Sequence, residues 1–293
     1  MGPGADTAAM NDADRDISDE TVTVDGNRIH YVTGGTGGPP LVLLHGGIID
    51  AAHISWGELL GPLAEQARIY ALDLPGYGTS ELPDGPLSME THVDAVSSFI
   101  DELGIEGPVV AGTSMGGGIA IGLALSHPDR VSQVVALEAF ALGSELPNGV
   151  LTWLLAKIQV TNYISVALMR RSRGFVERSL DSLTADTNTL SEATVDRVVA
   201  EVKRPGAGAA FRKFRAAEVT RHGYRTDYSE QVSELTVPVR YVHGAKDDLL
   251  PPRWSERAAE RTPESDLYIL EDCGHLAPLE QTDRVADLIC DVL

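Results

Sequence analysis

The sequence predicts an α/β protein: a mostly parallel, eight-stranded sheet with helices on both faces and an inserted helical cap. Three observations lead there. Short, wholly apolar runs alternate with amphipathic segments, which is the pattern of βαβ units whose strands are buried on both faces. The alternation stops near Phe140 and resumes at Val239, so the middle of the chain is an insertion and not a repeat. At 293 residues, 43% of them hydrophobic, the chain can bury a sizeable core.

The elements follow in order. Residues 1–20 are acidic and lack hydrophobic periodicity, so a disordered tail is expected. Thr21–Asp25 and Arg28–Thr33 alternate around Asp25-Gly26-Asn27, a hairpin signal. After a Gly/Pro loop, Leu41–Leu44 reads as a buried parallel strand ending in His45-Gly46-Gly47. Trp56–Gln66 is expected as a helix and Arg68–Leu72 as a strand. Ser88–Leu103 reads as a helix with Ser88 as N-cap and Thr91 one turn in. Pro108–Ala111 (strand), Met115–Ser126 (helix) and Val131–Leu137 (strand) continue the series. Right-handed crossovers place these helices on both faces. Residues 140–232 read as a helical cap without a clear strand, leaving 21–139 and 233–293 as the core. Val239–His243 (strand), Pro252–Arg261 (helix), Asp266–Leu270 (strand) and Asp283–Val292 (helix) close the fold. Within the cap, Val150–Met169 is rich in large apolar groups; helix packing is its first reading and the lining of an apolar substrate tunnel its second.

Composition excludes several functions. There are 43 acidic and 23 basic residues, a net charge of −20, and such a chain repels nucleic-acid phosphates. No apolar run reaches the length of a membrane span, and the N-terminus lacks the basic and apolar regions of a secretory leader. The two cysteines, Cys273 and Cys290, fit neither a disulfide framework nor a zinc pattern, so a reducing cytosol is the expected compartment. Only four of the basic residues are lysines, and an acidic, lysine-poor surface of this kind suits a halophilic host. The charge is also uneven. Residues 140–232 carry 13 basic and 10 acidic side chains, a net of +3 inside a chain whose remainder sums to −23. Docking on the acidic core is the first explanation, and an anionic ligand the second.

The chemistry centres on Gly112-Thr113-Ser114-Met115-Gly116, a G-x-S-x-G pattern between an apolar strand and a small-residue helix. In that setting a sharp turn strains the serine backbone and lifts its hydroxyl off the sheet, while the helix N-terminus faces developing negative charge. The serine needs a base. His275, in the loop Cys273-Gly274-His275 after the last strand, is at the correct edge of the sheet. His45 is expected to orient the loop around Gly46 and Gly47; His30, His53, His92, His127, His222 and His243 are taken as surface or structural residues. The base needs an acid. Asp247, after the strand Val239–His243, leads; Glu138 at the end of an earlier strand and the adjacent Asp248 are the alternatives. The chain order is then Ser114, Asp247, His275. No H-E-x-x-H, Walker A or dinucleotide fingerprint is present, so neither a metal nor an organic cofactor is expected.

These pieces, with Asp73–Ser80 and Gly244–Pro251, resemble the capped, single-domain α/β-hydrolases over Thr21 to Leu293. The resemblance implies Ser114 as nucleophile, His275 as general base, Asp247 as orienting acid, and the backbone N–H groups of Gly47 and Met115 as oxyanion hole. It implies a small-molecule ester or related acyl substrate and a monomer or homodimer, with no membrane or nucleic-acid partner. A serine nucleophile argues against the haloalkane dehalogenases and epoxide hydrolases, which are similar but use aspartate there. Ester hydrolysis is the first expectation. C–C or enol-lactone hydrolysis of an anionic ring-cleavage product is the alternative, for which cap arginines (Arg170, Arg171, Arg173, Arg212, Arg215) are suited. The sequence departs from that group in having Leu276 after the histidine, where Trp is frequent. Cofactor-free perhydrolysis, and a non-catalytic ligand receptor on the same fold, are further alternatives.

Overall fold

Asp25 and Gly26 both take positive φ, 48° and 80°, and turn the chain between Ser18–Val24 (β1) and Asn27–Gly34 (β2). The computed structural model describes residues 17–146, 153–154, 160–186 and 189–293. Most of the acidic tail expected over 1–20 lies outside the described residues, but Ser18–Glu20 correct that boundary: they pair with Thr33, Val32 and Tyr31. An edge strand needs only its backbone to pair, so exposed acidic side chains do not forbid it. Asp19 is in addition held by His30 and His53, at 2.9 and 2.8 Å.

Pro40–Leu44 (β3) is followed by two short helices, Ala52–Ser55 (α1) and Leu60–Ala64 (α2), in place of the single helix expected over Trp56–Gln66. Buried Trp56 ends the first of them. Arg68–Leu72 (β4), Met89–Glu102 (α3), Val109–Thr113 (β5), Met115–Ser126 (α4) and Gln133–Leu137 (β6) come next. The N-terminus of α3 carries a reciprocal capping box. Thr91 N–H donates to the Ser88 hydroxyl at 3.2 Å, and Ser88 N–H to Thr91 Oγ1 at 2.7 Å.

After β6 the chain leaves the sheet. Its described helices there are Val160–Arg171 (α5), Arg173–Asp181 (α6), Glu192–Lys203 (α7) and Ala209–Glu218 (α8). A two-residue strand pair, Val219–Thr220 (β7) with Gly223–Tyr224 (β8), follows, too short to leave a periodic signal. The outgoing and returning segments are tied together: Tyr224 N–H donates to Ser144 O at 3.0 Å and Tyr228 N–H to Ala141 O at 2.6 Å. Part of Val150–Met169 lies outside the described residues. In the rest, Met169 reaches inward while Tyr163, Ile164 and Leu168 are exposed, with the Arg212 guanidinium 4.3 Å from the Tyr163 ring centre. Val239–Gly244 (β9), Arg253–Arg261 (α9), Ser265–Leu270 (β10), Ala277–Glu280 (α10) and Thr282–Cys290 (α11) complete the chain.

The sheet runs β1-β2-β4-β3-β5-β6-β9-β10, antiparallel at β1–β2 and β2–β4 and parallel elsewhere. Strand side chains alternate between its faces. Val42 and Leu44 pack with Val93 and Phe99 of α3 and Ile119 of α4. Leu41 and Leu43 join Leu60 and Leu63 of α2 and Val285 and Ile289 of α11 on the other side. A third, smaller cluster (Ile54, Val176, Val198, Val202) packs α6 and α7 on α1. No helix among the described residues is long and apolar enough to cross a membrane.

Candidate active site

Ser114 sits in the turn between β5 and α4 with φ 54° and ψ −115°, a conformation L-residues rarely take. The backbone crowding explains the flanking glycines. A Cβ on Gly112 would lie 2.2 Å from Gly116 O, and one on Gly116 would lie 2.3 Å from Leu44 O. The turn is held by Ser114 N–H to Leu137 O at 2.8 Å and by Phe140 N–H to Ser114 O at 2.9 Å. The hydroxyl is thereby raised at the carboxyl edge of the sheet.

His275 enters from the loop after β10, its N–H donating to Leu183 O of the insertion at 2.7 Å. Its Nδ1 lies 2.7 Å from Asp247 Oδ2 and its Nε2 lies 2.9 Å from Ser114 Oγ. A carboxylate only accepts, so the ring proton is on Nδ1, and the Nε2 lone pair faces the serine hydroxyl. Asp247 is itself anchored: its Oδ1 accepts from Leu249 and Leu250 N–H at 2.8 and 2.9 Å. Burial by itself would raise this carboxyl. Hydrogen bonds from His243, His275 and the Leu250 N–H outweigh burial and hold it far below the usual carboxylate range.

The other two carboxylates stand apart. Asp248 is exposed. Glu138 follows β6 and is fully buried, with Thr113 Oγ1 at 3.4 Å, and its Oε1 has no partner among the described residues. Burial pushes its carboxyl well up, and the negative charges of Asp247 and Glu280 add to the shift.

Gly47 and Met115 border the same cavity as Ser114 and His275, and neither of their N–H groups donates to a protein acceptor among the described residues. The cavity holds about 440 Å³ and is mostly apolar: Ile49, Ile54, Val176, Val198, Phe140 and Phe211 are among its walls. Of the five cap arginines suited to an anion, only Arg215 lines it. Arg170 donates to the Val202 and Arg204 carbonyls, and Arg173 is paired with Glu177, Glu192 and Asp196. Cys273, two residues from His275, is buried, and burial with nearby carboxylates pushes its thiol up, away from nucleophilic character.

Two contacts of the site are not legible in the sequence. His243, grouped there with the structural histidines, has Nε2 2.9 Å from Leu250 O and 3.2 Å from Asp247 Oδ2, and Nδ1 2.7 Å from Ser255 Oγ. The carbonyl accepts, so His243 carries a proton on Nε2. Its signal in sequence is only its place at the end of the strand, four residues before Asp247. Asp50, an acidic residue in the apolar loop Gly47–Ala52, also borders the cavity.

A family model for the α/β hydrolase fold matches residues 39–282, and the chain belongs to that family. Among its relatives is a 2-hydroxymuconate semialdehyde hydrolase of Pseudomonas sp. (strain CF600), 29% identical over 259 residues that cover 87% of each chain. Two solved structures share the fold. A serine hydrolase involved in carbazole degradation superposes with a TM-score of 0.79 at 20% identity, covering 94% of this chain and 98% of that one. A carboxylesterase from Bacillus subtilis gives 0.74 at 23%, covering 93% and 90%.

Proposed function

We propose that the protein is a serine hydrolase of small carboxylic esters, with Ser114, His275 and Asp247 as its catalytic triad. The observation that carries this is the chain of contacts from Ser114 Oγ through His275 to Asp247 at the wall of an apolar cavity. In this mechanism His275 Nε2 takes the Ser114 proton as Oγ attacks the ester carbonyl carbon. The oxyanion is received by the Gly47 and Met115 N–H groups. As the tetrahedral adduct collapses, the ester C–O bond breaks and His275 returns the proton to the leaving alkoxide. Water, deprotonated by His275, attacks the acyl-enzyme, and its collapse releases the acid and restores Ser114.

A second reading, C–C or enol-lactone hydrolysis of an anionic ring-cleavage product, has Arg215 in its favour, since it lines the cavity, as well as the semialdehyde hydrolase relative. Against it stands Asp50, a carboxylate on the same wall as Ser114 that would oppose an anionic substrate there.

Hydrolysis of p-nitrophenyl esters from acetate to dodecanoate tests the proposal. Wild type is expected to turn over, with an optimum set by the cavity, and Ser114→Ala to lose about 10⁴-fold or more in kcat. Turnover of a dienoate or enol-lactone and not of any ester would select the second reading. No turnover, with no fluorophosphonate attached to Ser114, would leave a ligand receptor.

A further inference from the structure

Gly46 is held at both of its peptide groups. Its N–H donates to Asp50 Oδ2 at 2.8 Å. Its carbonyl is 2.7 Å from His45 Nδ1, while His45 Nε2 accepts from Leu74 N–H at 3.0 Å. The His45 ring is therefore neutral with its proton on Nδ1, donated to Gly46 O. A trans peptide is planar, with its C=O and N–H pointing in opposite directions. With Gly46 O turned to the ring, the Gly47 N–H is turned away from it.

Asp50 closes this arrangement into a ring of five residues. Between its ends lies Ile48 with φ 58°, a strained conformation for a β-branched residue that persists only where its surroundings enforce it. Asp50 is itself oriented: Ser55 Oγ donates to Oδ2 at 2.7 Å and Ala51 N–H to Oδ1 at 2.8 Å. Its side chain is 13% exposed, so water competes little for these donors. Burial raises the carboxyl, against the opposing hydrogen bonds of Ser55 and the two backbone donors.

We propose that Asp50 is a positioning residue for oxyanion stabilisation: by clamping Gly46 it holds the Gly47 N–H where a substrate carbonyl oxygen becomes negatively charged. This rests on the serine-hydrolase function proposed above. Asp50 touches no reacting atom in this role. It acts through the backbone, so its loss weakens the transition state and not substrate binding.

Fluorophosphonate labelling reads the hole without the natural substrate. Ser114 Oγ bonds to phosphorus as the P–F bond breaks; His275 takes the hydroxyl proton, fluoride departs, and the phosphoryl oxygen gathers charge on the way. Asp50→Ala is expected to slow labelling and to lower kcat on the best ester by about 100-fold, the cost of one oxyanion donor, with KM near wild type. Asp50→Asn retains an acceptor oxygen for Gly46 N–H and is expected to recover most of that loss. Labelling of Asp50→Ala at the wild-type rate would overturn the proposal, as would a raised KM at unchanged kcat. If Asp50→Ala does not fold, Asp50→Ser replaces it, being too short to reach Gly46; equal rates for Asp50→Ser and Asp50→Asn would then overturn the proposal. Wild type that is not labelled at Ser114 removes the hydrolase function and this inference together, whereas labelling of wild type and Asp50→Ala at one rate removes only this inference.

Discussion

Asp247 gathers donors from two strand ends: Leu249 N–H, Leu250 N–H and His243 Nε2–H beside the His275 ring. That convergence separates the two buried carboxyl groups: Asp247 is oriented and its carboxyl held low, while the Glu138 carboxyl is pushed up and its Oε1 has no partner among the described residues. Asp247→Asn offers His275 Nδ1 an amide in place of a carboxylate, which favours the wrong tautomer, and kcat is expected to fall by about 10⁴-fold. Glu138→Gln alters a side chain outside the Ser114–His275–Asp247 chain of contacts and is expected to leave turnover near wild type. Steady-state kinetics on the same ester separates them, and a large loss in Glu138→Gln alone would reassign the acid. Ser114 and His275 are legible in the sequence because each lies in a short segment whose strand, glycines and turn announce it. The choice among Asp247, Glu138 and Asp248 is not closed in the same way: it depends on where three loop ends meet. His243 and Asp50 give still less signal, since their contacts run to a neighbouring loop and to a backbone N–H.

At the scale of elements, hydrophobic periodicity finds whatever packs on both sides. Leu41–Leu44 and Val109–Ala111 are apolar throughout because both faces of the sheet are covered, and the Ser88 cap is a local hydrogen-bond pattern. The pair β7–β8 and the break at Trp56 escape detection because two residues carry no period and a turn can interrupt an apolar run without changing its composition. Helix α3 has a titratable group in its buried face. His92 donates from Nδ1 to Ser88 O at 2.9 Å, but its Nε2 has no partner among the described residues, and burial lowers the imidazole to about 4 from 6.5. Below pH 6.5 the unfolded chain takes up a proton that the folded chain refuses, so this group's stability is present above pH 6.5 and lost as pH falls toward 4. Between about pH 8 and about pH 4 the loss amounts to about 3 kcal/mol. His92→Leu removes it, and the drop in unfolding free energy over that range, from urea titrations, is expected to shrink by about this amount. Carboxylates such as Asp247 destabilise in acid with the same sign, but they act equally in both proteins and cancel in the difference. An unchanged drop would mean that His92 is protonated in the folded state.

Across the whole molecule, the mildly basic insertion meets an acidic core at particular points. Arg197 lies 3.8 Å from Glu58, and Lys213 Nζ donates to the Pro83, Asp84 and Gly85 carbonyls of a core loop. Salt acts on this architecture in two opposing ways. It weakens half-buried pairs such as Arg197–Glu58, each worth on the order of 1 kcal/mol. It also screens the mutual repulsion of a chain at −20, which compaction on folding intensifies. The screening length falls from about 10 Å at 0.1 M to about 3 Å at 1 M, so repulsion between carboxylates on separate elements is removed almost entirely while short-range pairs lose only part of their attraction. Relief of repulsion outweighs the weakened pairs, because the acidic side chains outnumber the basic ones by 20 and each cap–core pair contributes little. The Tm is therefore expected to rise steadily with salt over that range, measured by calorimetry in potassium chloride, since sulfate would add a general exclusion effect of its own. Ester turnover that holds or rises alongside the Tm would support adaptation to a saline host. A Tm that falls would show that the seam between cap and core governs stability, and Arg197→Gln should then reproduce the fall at low salt.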